Sequence, residues 1–277
     1  MRFNGFPEIK ESLIAGYLPA TFMLAPMAMA LREQGVPIKI VYLGHRDGTA
    51  LMVHKGSDIL TIRDLRGKRV AVPNRFSNQY LLLLKALSAE GMTLKDVEMV
   101  EMPPPDMPAS LYSKAVDAIT SGEPFMAQTE MDGYGRVLYQ AKDIWPNFIS
   151  CVLVVSQQTI DQHPQWVQQL VDGIAKSGMW LEGGMDHRMA AAHAVATGYY
   201  NQDPRLLSFV LSKPPDRVRY NKLRLARDDF QQIADLAFKA GVLKRHMKFE
   251  EYADPRFSEH TAGATEYAWS GPAKPQG

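Results

Sequence analysis

The residues best equipped for chemistry stand where short apolar runs hand over to helical ones. Asn74-Arg75-Phe76-Ser77-Asn78-Gln79 follows a run ending at Val72 and precedes the helical pattern of Leu81–Leu87. Ser77 offers a hydroxyl and an N–H, and Asn78 and Gln79 add amide donors, a set that suits an oxyanion. A helix start there adds unused N–H groups and a partial charge of roughly +0.5. Plain N-capping by Ser77 or Asn74 accounts for the same residues without any ligand. Ser121-Gly122-Glu123-Pro124 is a second junction. Gly122 lets a ligand approach the backbone, and Pro124 fits a first helical turn. Glu123 repels a bare anion; it can orient a donor, meet a cation or simply face a helix N-terminus. Leu24-Ala25-Pro26 is a third junction, with Ala25 and Met27 as backbone donors because Pro26 has no N–H, or else a tightly packed turn. His45 and Arg46 follow Leu43, where Arg46 suits either a bidentate oxyanion contact or an ion pair with Asp47 or another carboxylate. Trp145 can stack on a ligand or fill a half-buried position.

Other chemistry is absent from the pattern. His187 and His193 are six apart, off the spacing of three or four that places ligands on one helical face. There is no H-E-x-x-H pair, no G-x-G-x-x-G and no phosphate-binding Gly-Lys-Ser loop, and Gly133-Tyr134-Gly135 reads as a turn. Cys151 is the single cysteine, which excludes an internal disulfide and a cysteine-rich zinc site. Its place inside the apolar run Ile149–Val155 predicts a buried structural thiol. Met23, Met27 and Met29 are spaced for core packing. Neither a metal nor a cofactor is expected.

The elements that must hold these junctions follow an alternating rhythm of strand, turn and helix. A helix over 7–15 stops at Gly16, a strand covers Thr21–Leu24, and a helix opened by Pro26 runs to Arg32 with Gly35 as its stop. Ile38–Leu43 reads as a strand ended by a turn at Gly44-His45-Arg46-Asp47-Gly48, and Thr49–Val53 as another. Thr61 caps a short helix through Leu65, Gly67 stops it, and Arg69–Val72 is a strand ended by Pro73. A helix from Ser77 to Ala89, a strand at Val97–Met102, a helix from Asp106 to Ala115 and a strand at Asp117–Thr120 follow. The next helix starts at Phe125, and Arg136–Tyr139 is extended. Such alternation predicts βα units and mainly parallel sheets. From Gln165 to about Gln232 the pattern is helical, broken at Gly183-Gly184, Asp203-Pro204 and Pro214-Pro215. Ala262–Gly277 is expected to be a frayed tail.

The totals fit a soluble globular chain of 277 residues. Apolar residues make up 46% and charged ones 22%, and Lys plus Arg (31) nearly balance Asp plus Glu (30). With no basic stripe, nucleic acid is not an expected partner. The purest apolar run, Leu81–Leu84, ends at Lys85, far short of the ~20 residues that cross a bilayer. Met1-Arg2-Phe3-Asn4-Gly5-Phe6 has no basic region followed by an apolar one, so no secretory signal is read there.

Four segments carry a family resemblance. Thr61-Ile62-Arg63-Asp64-Leu65-Arg66-Gly67-Lys68-Arg69-Val70-Ala71-Val72-Pro73 resembles the D-L-x-G-K-x-(V/I)-A-V segment of ABC-transporter solute-binding proteins. Met102-Pro103-Pro104-Pro105-Asp106-Met107-Pro108, Gly122-Glu123-Pro124-Phe125 and Ile144-Trp145-Pro146-Asn147, in that order, are similar to the nitrate/sulfonate/taurine/bicarbonate branch. The likeness runs from about Phe3 to Val171. It implies an α/β, periplasmic-binding-protein-like fold of the type II, two-crossing kind with a helical C-terminal region. Lobe 1 would take residues 1–55 and 151–277, and lobe 2 residues 56–150, with crossings near His54–Asp58 and Ser150–Val155. The family's opening strand–helix–strand unit has no counterpart here.

The resemblance implies a monomeric receptor that closes on a small oxyanion and presents it to the permease of an ABC transporter. The ligand-binding residues would be Leu24, Ala25, Pro26, His45, Arg46, Phe76, Ser77, Asn78, Gln79, Ser121, Gly122, Glu123 and Trp145. Such a receptor is periplasmic or lipid-anchored if a signal lies upstream. A cytoplasmic anion sensor of the same fold is the alternative if Met1 is the native start. An enzyme is a third reading, since relatives of this fold make thiamin-pyrimidine and menaquinone precursors; His45 with Asp47 or Glu123 would be its acid–base pair.

Overall fold

The computed structural model describes residues 3, 5–200 and 202–261. The expected frayed tail at Ala262–Gly277 lies outside the described residues, as do Met1, Arg2, Asn4 and Asn201. Helix α1 (Phe6–Ile14) carries Pro7 in its first turn and ends ahead of Gly16, whose φ is +77°. Strand β1 (Ala20–Met23) leads into α2 (Ala25–Glu33), again with proline in the first turn. Strand β2 (Ile38–Asp47) then runs four residues past the expected end at Leu43. Gly44 is there for packing rather than turning: a Cβ on it would stand 3.1 Å from the Phe22 ring. The strand absorbs the irregular segment as register shifts against its neighbour on either side of His45.

The turn itself contracts to Asp47 and Gly48, both left-handed at φ +60° and +67°. Strand β3 (Thr49–His54) follows at once. A 3-10 turn at Ile62–Leu65 is fixed by the Asp64 carboxylate, which accepts from the Thr61 N–H at 2.8 Å and its hydroxyl at 3.0 Å. Strand β4 (Arg69–Val72) precedes α3 (Asn78–Ala89), a helix apolar on nearly every side and buried accordingly. Next come β5 (Glu98–Glu101), α4 (Met107–Tyr112), β6 (Ala118–Gly122), α5 (Phe125–Met131), β7 (Gly135–Gln140) and α6 (Ala141–Ile144). After β8 (Ile149–Ser156) the chain is mostly helical: α7 (Gln157–Gln162), α8 (Pro164–Glu182), α9 (Met185–Val195) and α10 (Pro204–Ser212). A short β9 (Val218–Arg219), α11 (Arg227–Lys239), α12 (Phe249–Tyr252) and α13 (Arg256–His260) complete the described chain.

The strands form two sheets. The first has the order β1-β8-β2-β9 and pairs antiparallel throughout; the second is β5-β4-β6-β3-β7. In the second, β4 runs parallel to β5 and β6, while β3 is antiparallel to β6 and β7. The sheets are therefore mixed, not mainly parallel. Helical connections do produce the parallel group β5-β4-β6, but β8 enters the middle of the first sheet from the far end of the second and so runs against its neighbours.

The change of sheet falls at Gly48, ahead of the region 54–58 expected from the sequence. Three backbone bonds hold that point: Asp47 N–H to the Phe148 carbonyl (2.9 Å), Gly48 N–H to the Arg217 carbonyl (2.7 Å) and Glu123 N–H to the Gly48 carbonyl (2.8 Å). The largest apolar core joins α2, β2, β8, α3 and α11, with Met23, Val41, Tyr42, Leu81, Leu87 and Phe230 wholly buried. Each such side chain contributes roughly 1.5–3 kcal/mol.

Candidate interlobe binding site

A cavity of about 250 Å³ opens between the two sheets. The first sheet supplies His45 from β2 and Ser150 and Cys151 from β8; the second supplies Ser121 and Gly122 from β6. Leu24 and Gln79 reach it from the starts of α2 and α3, and Phe6, Ile9, Pro104, Pro105 and Phe125 make much of its apolar wall. Six of the expected residues thus meet here: Leu24, His45, Gln79, Ser121, Gly122 and Glu123.

Two helices, α2 and α3, start at the cavity wall. In α2 the first bond along the helix runs from Ala28 N–H to the Leu24 carbonyl (3.0 Å), so the N–H groups of Ala25 and Met27 precede the ladder. In α3 the Tyr80 N–H bonds to Ser77 Oγ (3.1 Å), and the N–H groups of Asn78 and Gln79 likewise precede it. Gln79 is 3% exposed; its amide donates to Thr49 Oγ1 at 3.0 Å, while Oε1 has no hydrogen-bond partner. Among the described lining residues there is no Lys or Arg.

The nearby arginines are spent elsewhere. Arg46, expected at an oxyanion, points the other way from β2 and is buried. Its guanidinium donates to the Lys222 carbonyl (2.8 Å), the Asn147 carbonyl (2.6 Å) and Asp229 Oδ2 (2.7 Å). Arg217 donates to Glu123 Oε1 and Glu130 Oε2, both at 2.7 Å, and to the Lys213 carbonyl at 2.6 Å. Glu123 also accepts from the Ala127 N–H at 2.7 Å, the helix-facing role foreseen for it. Burial pushes its carboxyl upward against the pull of Arg217.

The remaining expected residues lie off the wall. Ala25 and Pro26 are buried behind Leu24 in the first turn of α2. Ser77 is wholly buried as the N-cap, donating to the Asn74 carbonyl at 2.6 Å. Asn78 donates to the Ile149 carbonyl, and Phe76 lies under the Arg75 guanidinium, 5.1 Å from the ring centroid. Trp145 is core: its Nε1–H donates to Gln232 Oε1 at 3.2 Å and its ring meets Phe148 edge-on. None of them is among the residues that line the cavity, a distinction that spacing alone does not carry.

Two residues outside the expected set stand beside His45. Cys151 is its register partner across β2 and β8, and Ser150 precedes it. Cys151 is only partly buried by its surroundings, so it is a wall residue rather than a core thiol. Desolvation pushes the thiol up to about 11. His45 Nδ1 has no hydrogen-bond partner, and burial holds the ring below the ordinary histidine value. Pro104, Pro105 and Phe125 belong to segments that carry the family resemblance; nothing in the sequence marks Phe6, Ile9 or Ser150. Among the described residues no group of three or more His, Cys, Asp or Glu could hold a metal ion.

Comparison with known proteins agrees with this architecture. The model of the NMT1-like family matches residues 1–196. The taurine-binding periplasmic protein of Escherichia coli is 31% identical over 194 residues, covering 65% of this chain and 59% of that protein. The riboflavin-binding protein RibY of Chloroflexus aurantiacus is 30% identical over 141 residues, covering 50% of this chain and 40% of that one. The chain thus spans less than two thirds of either relative. Among solved structures, the periplasmic nitrate-binding protein NrtA from Synechocystis superposes with a TM-score of 0.85 at 15% identity, covering 96% of this chain and 80% of that one. The alkanesulfonate-binding protein SsuA from Xanthomonas axonopodis gives 0.76 at 20%, covering 90% and 85%. The desulfurization enzyme DSZB gives 0.64 at 18%, covering 88% and 85%. The fold is that of periplasmic binding proteins.

Proposed function

The chain belongs to the NMT1-like family, and we propose that it is the solute-binding component of an ABC uptake system that takes an oxyanion-headed organic solute between its two sheets. The observation that carries this reading is the meeting of α2 from the first sheet and α3 from the second at one cavity, through Leu24 and Gln79. Two helix starts facing one pocket supply partial positive charge without a buried cation. Relatives and neighbours that bind taurine, alkanesulfonates and nitrate support the same head group. The apolar wall of Phe6, Ile9, Pro104 and Phe125 favours a sulfonate with an organic body over bare nitrate.

In this reading the two sheets with their helices are the closing bodies, joined at Gly48 and between Gln140 and Ile149. Ligand contacts from both stabilise the shut form, which docks on a membrane permease outside the cytoplasm. The protein acts as a monomer and catalyses nothing. A thermal-shift titration with taurine, alkanesulfonates, nitrate and bicarbonate tests it, because a ligand of the native state raises the melting temperature. A shift with a sulfonate supports the reading; a folded protein unmoved by every anion sinks it.

One observation favours a catalytic alternative. His45 and Cys151 adjoin in the cavity of a fold shared with DSZB. Against it, a thiol pushed up to about 11 is protonated at neutral pH, and His45 Nδ1 is engaged with nothing. Release of sulfite or sulfinate from a bound organosulfur compound would revive it.

A further inference from the structure

A second cavity of about 330 Å³ adjoins the first through His45 and Glu123, which line both. Its walls come from the helical C-terminal region: Leu181 of α8, Val195 of α9, Leu207 and Val210 of α10, with Val218 of β9 and Tyr220 beyond. Ala191 and Ala192 face it from α9, where small side chains leave the room. Glu123 offers it no free charge, since both carboxylate oxygens are bonded to Arg217 and the Ala127 N–H. Tyr220 stands beside His45, with ring centroids 6.3 Å apart. The two cavities thus have in common one histidine ring, lacking a hydrogen-bond partner on Nδ1, and one carboxylate paired with Arg217.

The lining of the second cavity is mostly apolar, the character of a pocket that takes the hydrocarbon part of a ligand, and it adjoins the cavity already described. We propose that the two cavities form one elongated site, in which the second takes the apolar chain or ring of a ligand whose polar head lies between the sheets. His45 is the positioning residue that the body of the ligand passes. The ligand class is an amphiphilic organic anion with an extended hydrocarbon part, longer than the first cavity alone accepts. This rests on the reading of the interlobe cavity as a binding site.

The test is calorimetric titration of wild-type protein with straight-chain alkanesulfonates from one to eight carbons, repeated with Ala191→Leu and Val195→Phe. Each buried methylene tightens binding about fourfold. The expected result is a gain that continues through the longer members in wild type and stops early in both variants. The one-carbon member binds wild type and variants alike, because neither residue touches the first cavity. Two outcomes overturn the extended site while leaving the interlobe reading intact: affinity levelling off at short chains in wild type, or variants that match wild type at every length. Absence of binding at all lengths overturns the interlobe reading, and this inference with it.

Discussion

Arg217 and Glu123, separated by 94 residues, form an ion pair at 2.7 Å in which both side chains are almost wholly withdrawn from water, at 1% and 4% exposure. The pair ties the segment before β9 to the end of β6, beside the point where the chain changes sheet. The attraction is not free stability, since burying both ions costs several kcal/mol each. It does set what happens when one is removed.

Arg217→Ala should lower unfolding stability by about 3–5 kcal/mol, because it leaves the buried Glu123 carboxylate without its cation. Replacing both members, Glu123→Leu with Arg217→Met, should lose less than the single change. Urea denaturation measures both; a single-variant loss under about 1 kcal/mol would mark the pair as no better than a surface one.

His45 gives the protein an acid-sensitive stability. Burial lowers its folded pKa, so the folded state stays neutral while the unfolded chain takes a proton below about 6.5. The unfolded state then binds more protons, and stability falls as pH drops through that window. Glu123, the nearest carboxylate on the cavity wall, is held by Arg217 and does not rescue the charge. In His45→Gln the slope of stability against pH should flatten; an unchanged slope would place the proton uptake elsewhere.

Cys151 should be a slow nucleophile despite touching a cavity. With a pKa near 11, only about one thiol in ten thousand is ionised at neutral pH. Alkylation by iodoacetamide should accelerate steadily up to strongly alkaline pH, and a bound ligand should protect it. Rapid modification at neutral pH would contradict the desolvated wall position.

Ser77 and Gln79 should differ in what they do to binding. Ser77→Ala removes the cap of α3 and should cost about 1 kcal/mol with little change in ligand affinity. Gln79→Leu should weaken binding at least tenfold and also cost about 1–3 kcal/mol, because it takes the amide donor from the buried Thr49 hydroxyl. Paired melting curves and titrations read both; equal loss of affinity in the two variants would move Ser77 back into the site.

Local chemistry was legible where the signals were local. Thr61, Gly67 and Pro73 bounded their elements as read, and Ser77 caps α3. Failures came from relations the sequence does not order in space. Arg46 finds Asp229 across 183 residues, so no spacing rule could assign it inward to the core rather than to the cleft. Gly44 looked like a turn because glycine serves both turns and close packing, and its reason, the Phe22 ring, is on another strand. The two-residue β9 is too short to have a period at all. Six of thirteen expected site residues reached the wall, four from junctions of the second sheet (Gln79, Ser121, Gly122, Glu123) and two from the first (Leu24, His45), while the rest stand off it.

The order β1-β8-β2 also has a meaning in time. Strands β1 and β2 do not pair with each other; both wait for β8. On a ribosome moving at roughly 5–20 residues per second, the stretch from Asp47 to Ile149 takes about 5–20 s to emerge. The second sheet, whose strands lie in that stretch, can assemble while the first is still two unmatched apolar edges. Synthesis thus allows the inner half of the molecule to form before the outer half that encloses it in sequence.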